Sequence, residues 1–307
     1  MHIDPYIAFG SAIVGLLVGM TGVGGGALMT PMLIMVFGVK PSTAISSDLV
    51  AAVLMKPFGA SVHLKKGTVN LRLVAWMALG SVPAAFLGTY LLHLIGHTKQ
   101  SEKHIQVVIG VALLIGVAAM IVRAVIDRRE QNNRSGLVEA IRVRPLATLA
   151  VGVVGGVMVG LTSVGSGSLM IVFLLFLYPA LSAKQLVGTD LAQAVPLTMA
   201  AACGALLFGH VELSVTASLA LGAIPAVIVG SYFSSRAPDH VIRPIIGFAL
   251  FASGLKYVGL STTVLGWILL VVLLGGFGLW LGVNRPWGEP EGDQSTLERV
   301  VVSQTEF

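Results

Sequence analysis

Two aspartates stand at matching places within otherwise apolar stretches of this sequence. Asp48 follows Ser47, and Asp190 follows Thr189. A carboxylate in apolar surroundings is costly, and where one occurs it commonly carries a proton or binds an ion. We therefore expect Asp48 and Asp190 to be proton-coupling residues. The alternative is that each aspartate is the N-cap of a helix, where its side chain completes the first turn.

Two glycine-rich patches interrupt the longest apolar segments, 7–37 and 146–178, each of which exceeds 30 residues. A straight helix of that length would reach about 45 Å. Because glycine weakens a helix interior, we expect each segment to form two half-helices joined by a non-helical tip. The first tip comprises Thr21, Gly22, Val23, Gly24, Gly25 and Gly26, and the second tip comprises Ser163, Val164, Gly165, Ser166 and Gly167.

The tips could bind a small ligand through the backbone. A half-helix that begins at a tip leaves its first N–H groups unpaired, and its positive dipole end suits an anion. A half-helix that ends at a tip offers carbonyl oxygens, which suit a cation instead. The alternative roles are packing for the glycines and helix–helix hydrogen bonds for the polar side chains nearby. We expect both tips to form one substrate-binding site with their polar neighbours, which are Ser46, Ser47, Thr189 and Gln193.

A lysine shares the apolar stretch that contains Asp48. Lys56 follows that aspartate by eight residues. Its side chain could extend toward the membrane surface, pair with a carboxylate or attract an anion. The sequence leaves these three roles open.

The composition places these residues in a membrane protein. Of 307 residues, 55% are hydrophobic and 11% are charged, whereas soluble domains carry about 25% charged residues. Apolar runs such as 73–95 and 213–233 are long enough to cross the lipid bilayer. The net charge of +5 comes mostly from loops between such runs, where it orients the chain and does not indicate a nucleic acid partner. We also expect no cofactor, and one cysteine, Cys203, cannot form an internal disulfide.

The chain repeats itself at a shift of 141–142 residues. Residues 19–29 align with 160–170, and Ser47-Asp48-Leu49 aligns with Thr189-Asp190-Leu191. Order and spacing kept over this distance are typical of internal duplication. The predicted organisation is a first transmembrane repeat at 1–126, a basic cytoplasmic linker at 127–144, a second repeat at 145–260, an extra transmembrane helix at 261–284 and a polar tail at 285–307.

The tips allow two topologies. If each tip-containing segment crosses the membrane, both halves face the same way. If each is a re-entrant hairpin, a half has three crossings and the second half is inverted. With the linker inside, the re-entrant topology places fourteen basic residues inside and four outside, against ten and eight for the other topology. The positive-inside rule favours the re-entrant topology. The sequence therefore predicts an all-α polytopic membrane protein with two inverted repeats, each a re-entrant helix plus three spans, and one extra C-terminal span.

The sequence around the tips resembles the sulfite exporter TauE/SafE family, also called the toluene sulfonate uptake permeases. The resemblance lies in residues 19–31, Gly-Met-Thr-Gly-Val-Gly-Gly-Gly-Ala-Leu-Met-Thr-Pro, in 44–49, Ala-Ile-Ser-Ser-Asp-Leu, and in their second copies at 160–170 and 188–191. It covers about residues 5–258. The family pattern more often has a small polar or apolar residue where Asp48 and Asp190 stand. The two acids therefore argue against a site that holds an anion through neutral groups alone.

The resemblance implies a secondary transporter of a small sulfur-containing anion, such as sulfite, sulfoacetate or another sulfonate. We expect alternating access around a midplane site in a multi-pass protein of the cell inner (plasma) membrane, with proton coupling. A single chain and a homodimer both remain open. The alternatives are a channel or metal permease, and an intramembrane serine hydrolase that would use a tip serine with His210.

Overall fold

The computed structural model describes residues 3–21, 25–65, 67–95, 99–131, 143–165, 167, 169–178, 181, 183–233 and 239–283. In these residues the regular structure is helical throughout, so the prediction of an all-α protein is confirmed. The helices are α1 Pro5–Thr21, α2 Gly26–Met35, α3 Pro41–Lys65, α4 Leu71–Ile95, α5 Lys99–Gln131, α6 Pro145–Thr162, α7 Leu169–Leu177, α8 Ala183–Phe208, α9 Leu213–Phe233, α10 Asp239–Tyr257 and α11 Thr262–Val283.

Both predicted helix interruptions are present. The first separates α1 from α2, and the second separates α6 from α7. At the second tip the backbone of Ser163 is left-handed, with φ of 57°, and Gly165 and Gly167 also have positive φ angles of 127° and 104°. A right-handed helix cannot continue through such angles, so α6 ends there. Residues 22–24, Ser166 and Ser168 lie outside the described residues.

Each interrupted segment folds back on itself. In the second segment, the N–H of Arg144, before α6, donates to the hydroxyl of Tyr178, after α7, over 2.8 Å. In the first segment, a Cβ on Gly10 of α1 would lie 3.3 Å from the ring of Phe37, beyond α2. A continuous helix would separate Gly10 and Phe37 by about 40 Å. Both segments are therefore hairpins, whereas the direction in which each half faces across a membrane stays a prediction.

Glycines let helices from the two halves of the chain touch through their backbones. A Cβ on Gly156 of α6 would overlap the carbonyl oxygen of Ser81 in α4. A Cβ on Gly15 of α1 would overlap the carbonyl oxygen of Ala223 in α9. The two contacts use residue pairs related by the 141–142 residue shift of the sequence repeat. Small residues at such crossings allow the close packing that stabilises helices in lipid.

The described helices include six that are long and apolar enough to cross a membrane. These lie at Pro41–Lys65, Leu71–Ile95, Ser101–Val122, Pro145–Thr162, Gln185–Phe208 and Leu213–Gly230. Residues Met1–Leu260 form one compact unit, and Ser261–Phe307, which contains α11, forms another. The elements that surround the aspartates all belong to the first unit.

The glycine crossings give a test of the packing. We expect Gly156→Ala to lower stability by about 1–3 kcal/mol, because the new methyl group meets a backbone carbonyl that cannot move aside. Gly247→Ala is the matched control, since a Cβ there meets nothing within 4 Å and alanine favours a helix. Thermal unfolding of the purified protein in detergent measures both. Equal melting temperatures for the two variants would contradict the described crossing.

Candidate functional site

Asp48 and Asp190 lie inside their helices. Each is the eighth residue of its helix, since α3 begins at Pro41 and α8 begins at Ala183. Both side chains are buried, with 1% of their surface exposed. The alternative that the aspartates are N-caps is therefore wrong, because an N-cap directly precedes the first helical residue.

The carboxylate of Asp48 links three elements. Its Oδ2 atom accepts a hydrogen bond from Thr30 Oγ1 over 3.0 Å and another from Ser163 Oγ over 2.7 Å. Thr30 belongs to α2, and Ser163 is the first residue of the second tip. One carboxylate oxygen therefore fixes α2 and the second tip against α3. The serine hydrolase alternative would pair a tip serine with His210. Among the described residues, however, the side-chain partner of Ser163 is Asp48, and His210 is exposed in the loop after α8.

The two tips meet beside this carboxylate. A Cβ on Gly26, the first residue of α2, would overlap both the carbonyl oxygen and the hydroxyl of Ser163. Glycine at this position is thus what allows the start of α2 to lie against the end of α6. The residue before it, Gly25, gives α2 no side-chain cap. Further buried members of the tips are Gly25, Val164, Gly165 and Gly167.

Ser47 and Thr189 each hydrogen-bond to the opposite half of the chain. The hydroxyl of Ser47 accepts from the N–H of Glu212, which precedes α9, over 3.1 Å. The hydroxyl of Thr189 accepts from the N–H of Asn70, which precedes α4, also over 3.1 Å. These hydroxyls thus satisfy helix N-terminal donors and tie helices together. A role in ligand binding stays a prediction for both.

The other two polar neighbours are buried as well. Gln193 donates from Nε2 to the hydroxyl of Ser81 in α4, and its Oε1 atom has no hydrogen-bond partner within the described part of the chain. Because buried acceptors are nearly always satisfied, a hydrogen-bond donor placed beside this oxygen would be stabilised by it. Ser46 packs against Gly209, where a Cβ would lie 2.5 Å from its Oγ. Sequence reasoning did not identify Ser81 or Thr30, since isolated hydroxyl residues in apolar helices carry no distinguishing pattern.

Lys56 shares the interior with both aspartates. It lies on α3 about two turns beyond Asp48 and is half-buried. It interacts electrostatically with Asp190 and with Asp48. The site therefore contains two acids and one base, contributed by α3 and α8.

Some predicted site residues cannot be placed. Gly22, Val23, Gly24 and Ser166 lie outside the described residues, and of Thr21 only the backbone, at the end of α1, is described. Within the described ranges, no three His, Cys, Asp or Glu side chains form a group that could hold a metal ion.

Comparison with known proteins identifies the family. The family model of the sulfite exporter TauE/SafE matches residues 7–257. The chain belongs to the TauE/SafE family. A similar protein is the "Probable membrane transporter protein YjnA" of Bacillus subtilis (strain 168), which is 42% identical over 80% of this chain and 96% of its own length.

A more distant relative covers a similar share of the chain. The "Probable membrane transporter protein YdhB" of the same organism is 21% identical over 79% of this chain and 95% of its own length. No solved structure matches the chain. Together with the six apolar helices, the family and these relatives make this TauE/SafE member a multi-pass membrane protein.

Adjacent glycines at the first tip give a test of the site. Gly26→Ala should separate the tips and lower the thermal stability of the protein, because its methyl group meets the backbone of Ser163. Gly25→Ala is the matched control, since a Cβ there lies 3.7 Å from Met55 Cε, an ordinary contact. Thermal unfolding in detergent compares the two. If Gly26→Ala lowers the melting temperature no more than Gly25→Ala does, the tips do not meet as described.

Proposed function

We propose that this protein is a secondary transporter of a small sulfur-containing anion, such as sulfite, sulfoacetate or another sulfonate. Membership of the TauE/SafE family and the transporter names of its relatives support transport. The observation that carries the proposal of a central site is the contact of Gly26 with Ser163 beside the buried carboxylate of Asp48. Two broken helices that meet inside a transporter commonly form its substrate site.

The start of α2 supports an anionic substrate. Helix N-termini carry a partial positive charge and unpaired N–H groups. The N-cap residue of α2 is Gly25, which has no side chain to cap these groups, and Gly25 and Gly26 are buried. In a membrane interior such donors must be satisfied by protein, water or ligand. An anion between the tips would accept hydrogen bonds from them.

Alternating access follows from the two hairpins in this proposal. The hairpin geometry of both interrupted segments supports three crossings per half and an inverted second half. The repeats at 1–126 and 145–260 would then move against each other around the tips, and the polar contacts at Ser47 and Thr189 would cross their interface. We place the protein in the cell inner membrane, with the basic linker at 127–144 in the cytoplasm.

Proton coupling is the proposed role of the two aspartates. Moving one charge against 100 mV costs about 2.3 kcal/mol, so a carrier that takes a proton together with an anion moves less net charge. The groups that face Asp48 are Thr30, Ser163 and Lys56, and Lys56 also faces Asp190. A carboxylate in this cluster can exchange a proton as the anion enters and leaves.

Uptake into reconstituted vesicles tests the transport function. We expect the purified protein to take up at least one of sulfite, sulfoacetate and methanesulfonate, and we expect an imposed pH gradient to change the rate. Asp48→Asn and Asp190→Asn retain the side-chain volume but cannot titrate, so at least one should fold normally and lose the response to the gradient. Asp4→Asn, at an exposed aspartate before α1, is the control and should behave as the wild type.

The outcomes separate the parts of this proposal. No uptake of any of the three anions by folded wild-type protein would overturn the transport of sulfur anions. If Asp48→Asn and Asp190→Asn both leave the uptake rate and its pH response unchanged, the proposal of transport is retained. The proposal of proton coupling is then wrong, and the aspartates have a structural role.

A further inference from the structure

The position of Lys56 between the first tip and α8 suggests a role beyond charge balance. The residue before it, Met55, lies against the first tip, since a Cβ on Gly25 would be 3.7 Å from Met55 Cε. One turn later, a Cβ on Gly59 would lie 3.8 Å from the side chain of Leu191, which follows Asp190. The stretch of α3 that carries Lys56 therefore packs against both the first tip, at Gly25, and the part of α8 that contains Asp190.

Lys56 is partly buried, unlike the other lysines and arginines whose exposure the structure describes. An ammonium group inside a membrane protein is costly unless carboxylates or other acceptors stabilise it. Lys56 has two such partners, because it interacts with Asp190 and with Asp48.

Two carboxylates beside an anion site create an electrostatic difficulty. Each repels an anion, and a helix N-terminus contributes only about half a positive charge. A full positive charge at the site removes this difficulty. Lys56 supplies that charge, and its flexible four-carbon side chain carries a compact ammonium group with three hydrogen-bond donors.

We propose that Lys56 binds the charged group of the transported anion, and that the anion competes with Asp190 and Asp48 for the same ammonium group. This inference rests on the proposed transport function and names the residue that recognises its substrate. Competition has a directional consequence. Removing a competing carboxylate should strengthen anion binding, whereas removing the ammonium should abolish it even when folding is restored.

Anion binding to the purified full-length protein tests the proposal. The probes are sulfite, sulfoacetate and methanesulfonate, titrated by calorimetry in detergent, with melting temperatures recorded alongside. For the anion that the wild type binds, Lys56→Gln should weaken binding at least about tenfold, and Asp190→Asn should strengthen it several-fold. Lys56→Arg keeps the charge and should retain measurable binding. Lys256→Gln removes an exposed charge from the end of α10 and should change neither property.

A double variant separates recognition from structural pairing. Lys56→Gln leaves two carboxylates without their cation and could destabilise the fold, whereas Lys56→Gln with Asp190→Asn removes one charge of each sign. We expect this double variant to melt near the wild-type temperature and still not to bind. Binding as tight as in Asp190→Asn alone would overturn the proposal, because Lys56 would then be only a counterion. Failure of the double variant to fold would likewise assign Lys56 a structural role.

The result also distinguishes this inference from the proposed function. If the wild type binds and transports one of the three anions but Lys56→Gln does so equally well, only the role of Lys56 is wrong. If the wild type neither binds nor transports any of them, the proposed function is wrong and the assignment of Lys56 falls with it.

Discussion

The hydrogen bonds that Thr30 and Ser163 donate to Asp48 connect both interrupted segments at one point. Polar groups placed away from water need internal partners, and the hydroxyls of Thr30 and Ser163 share one oxygen of this carboxylate. The contact depends on Gly26, where any side chain would collide with Ser163. The site therefore depends on one constraint, which is that buried polar side chains beside the helix breaks must find partners inside the protein.

The surrounding helices hold this arrangement through contacts between the two halves of the sequence. Glycines bring α6 against α4 and α1 against α9, so each crossing joins segments far apart in the chain. Ser47 and Thr189 add a second pair of contacts between the halves. Ser47 accepts a hydrogen bond from the backbone N–H that precedes α9, and Thr189 accepts one from the backbone N–H that precedes α4. Because both halves of the chain contribute the contacts around Asp48, a relative movement of the halves would alter the site directly.

The sequence predicts some of this architecture well. The helix interruptions were predictable because glycine is unfavourable in a helix interior and the segments were too long for one span. The two aspartates were evident because charge is rare in such stretches. The position of the aspartates within their helices was harder to predict. Proline is favoured at the first position of a helix, and α3 begins at Pro41. Asp48 therefore lies inside α3 and is not its N-cap. The partner Ser163 is 115 residues from Asp48, and a single sequence has no local signal for such a contact.

The most direct test of the meeting of the tips is chemical cross-linking of Thr30→Cys with Ser163→Cys in a Cys203→Ser background. Both native hydroxyls lie within 3.0 Å of the same Asp48 oxygen, so a short bifunctional thiol reagent should join the two cysteines. We expect efficient cross-linking that stops anion uptake, with uptake restored on cleavage of the link, whereas each single cysteine variant should be unaffected by the reagent. Two thiols that are both labelled by a monofunctional reagent but are never joined, or a joined protein that transports normally, would contradict a central site formed by the two tips.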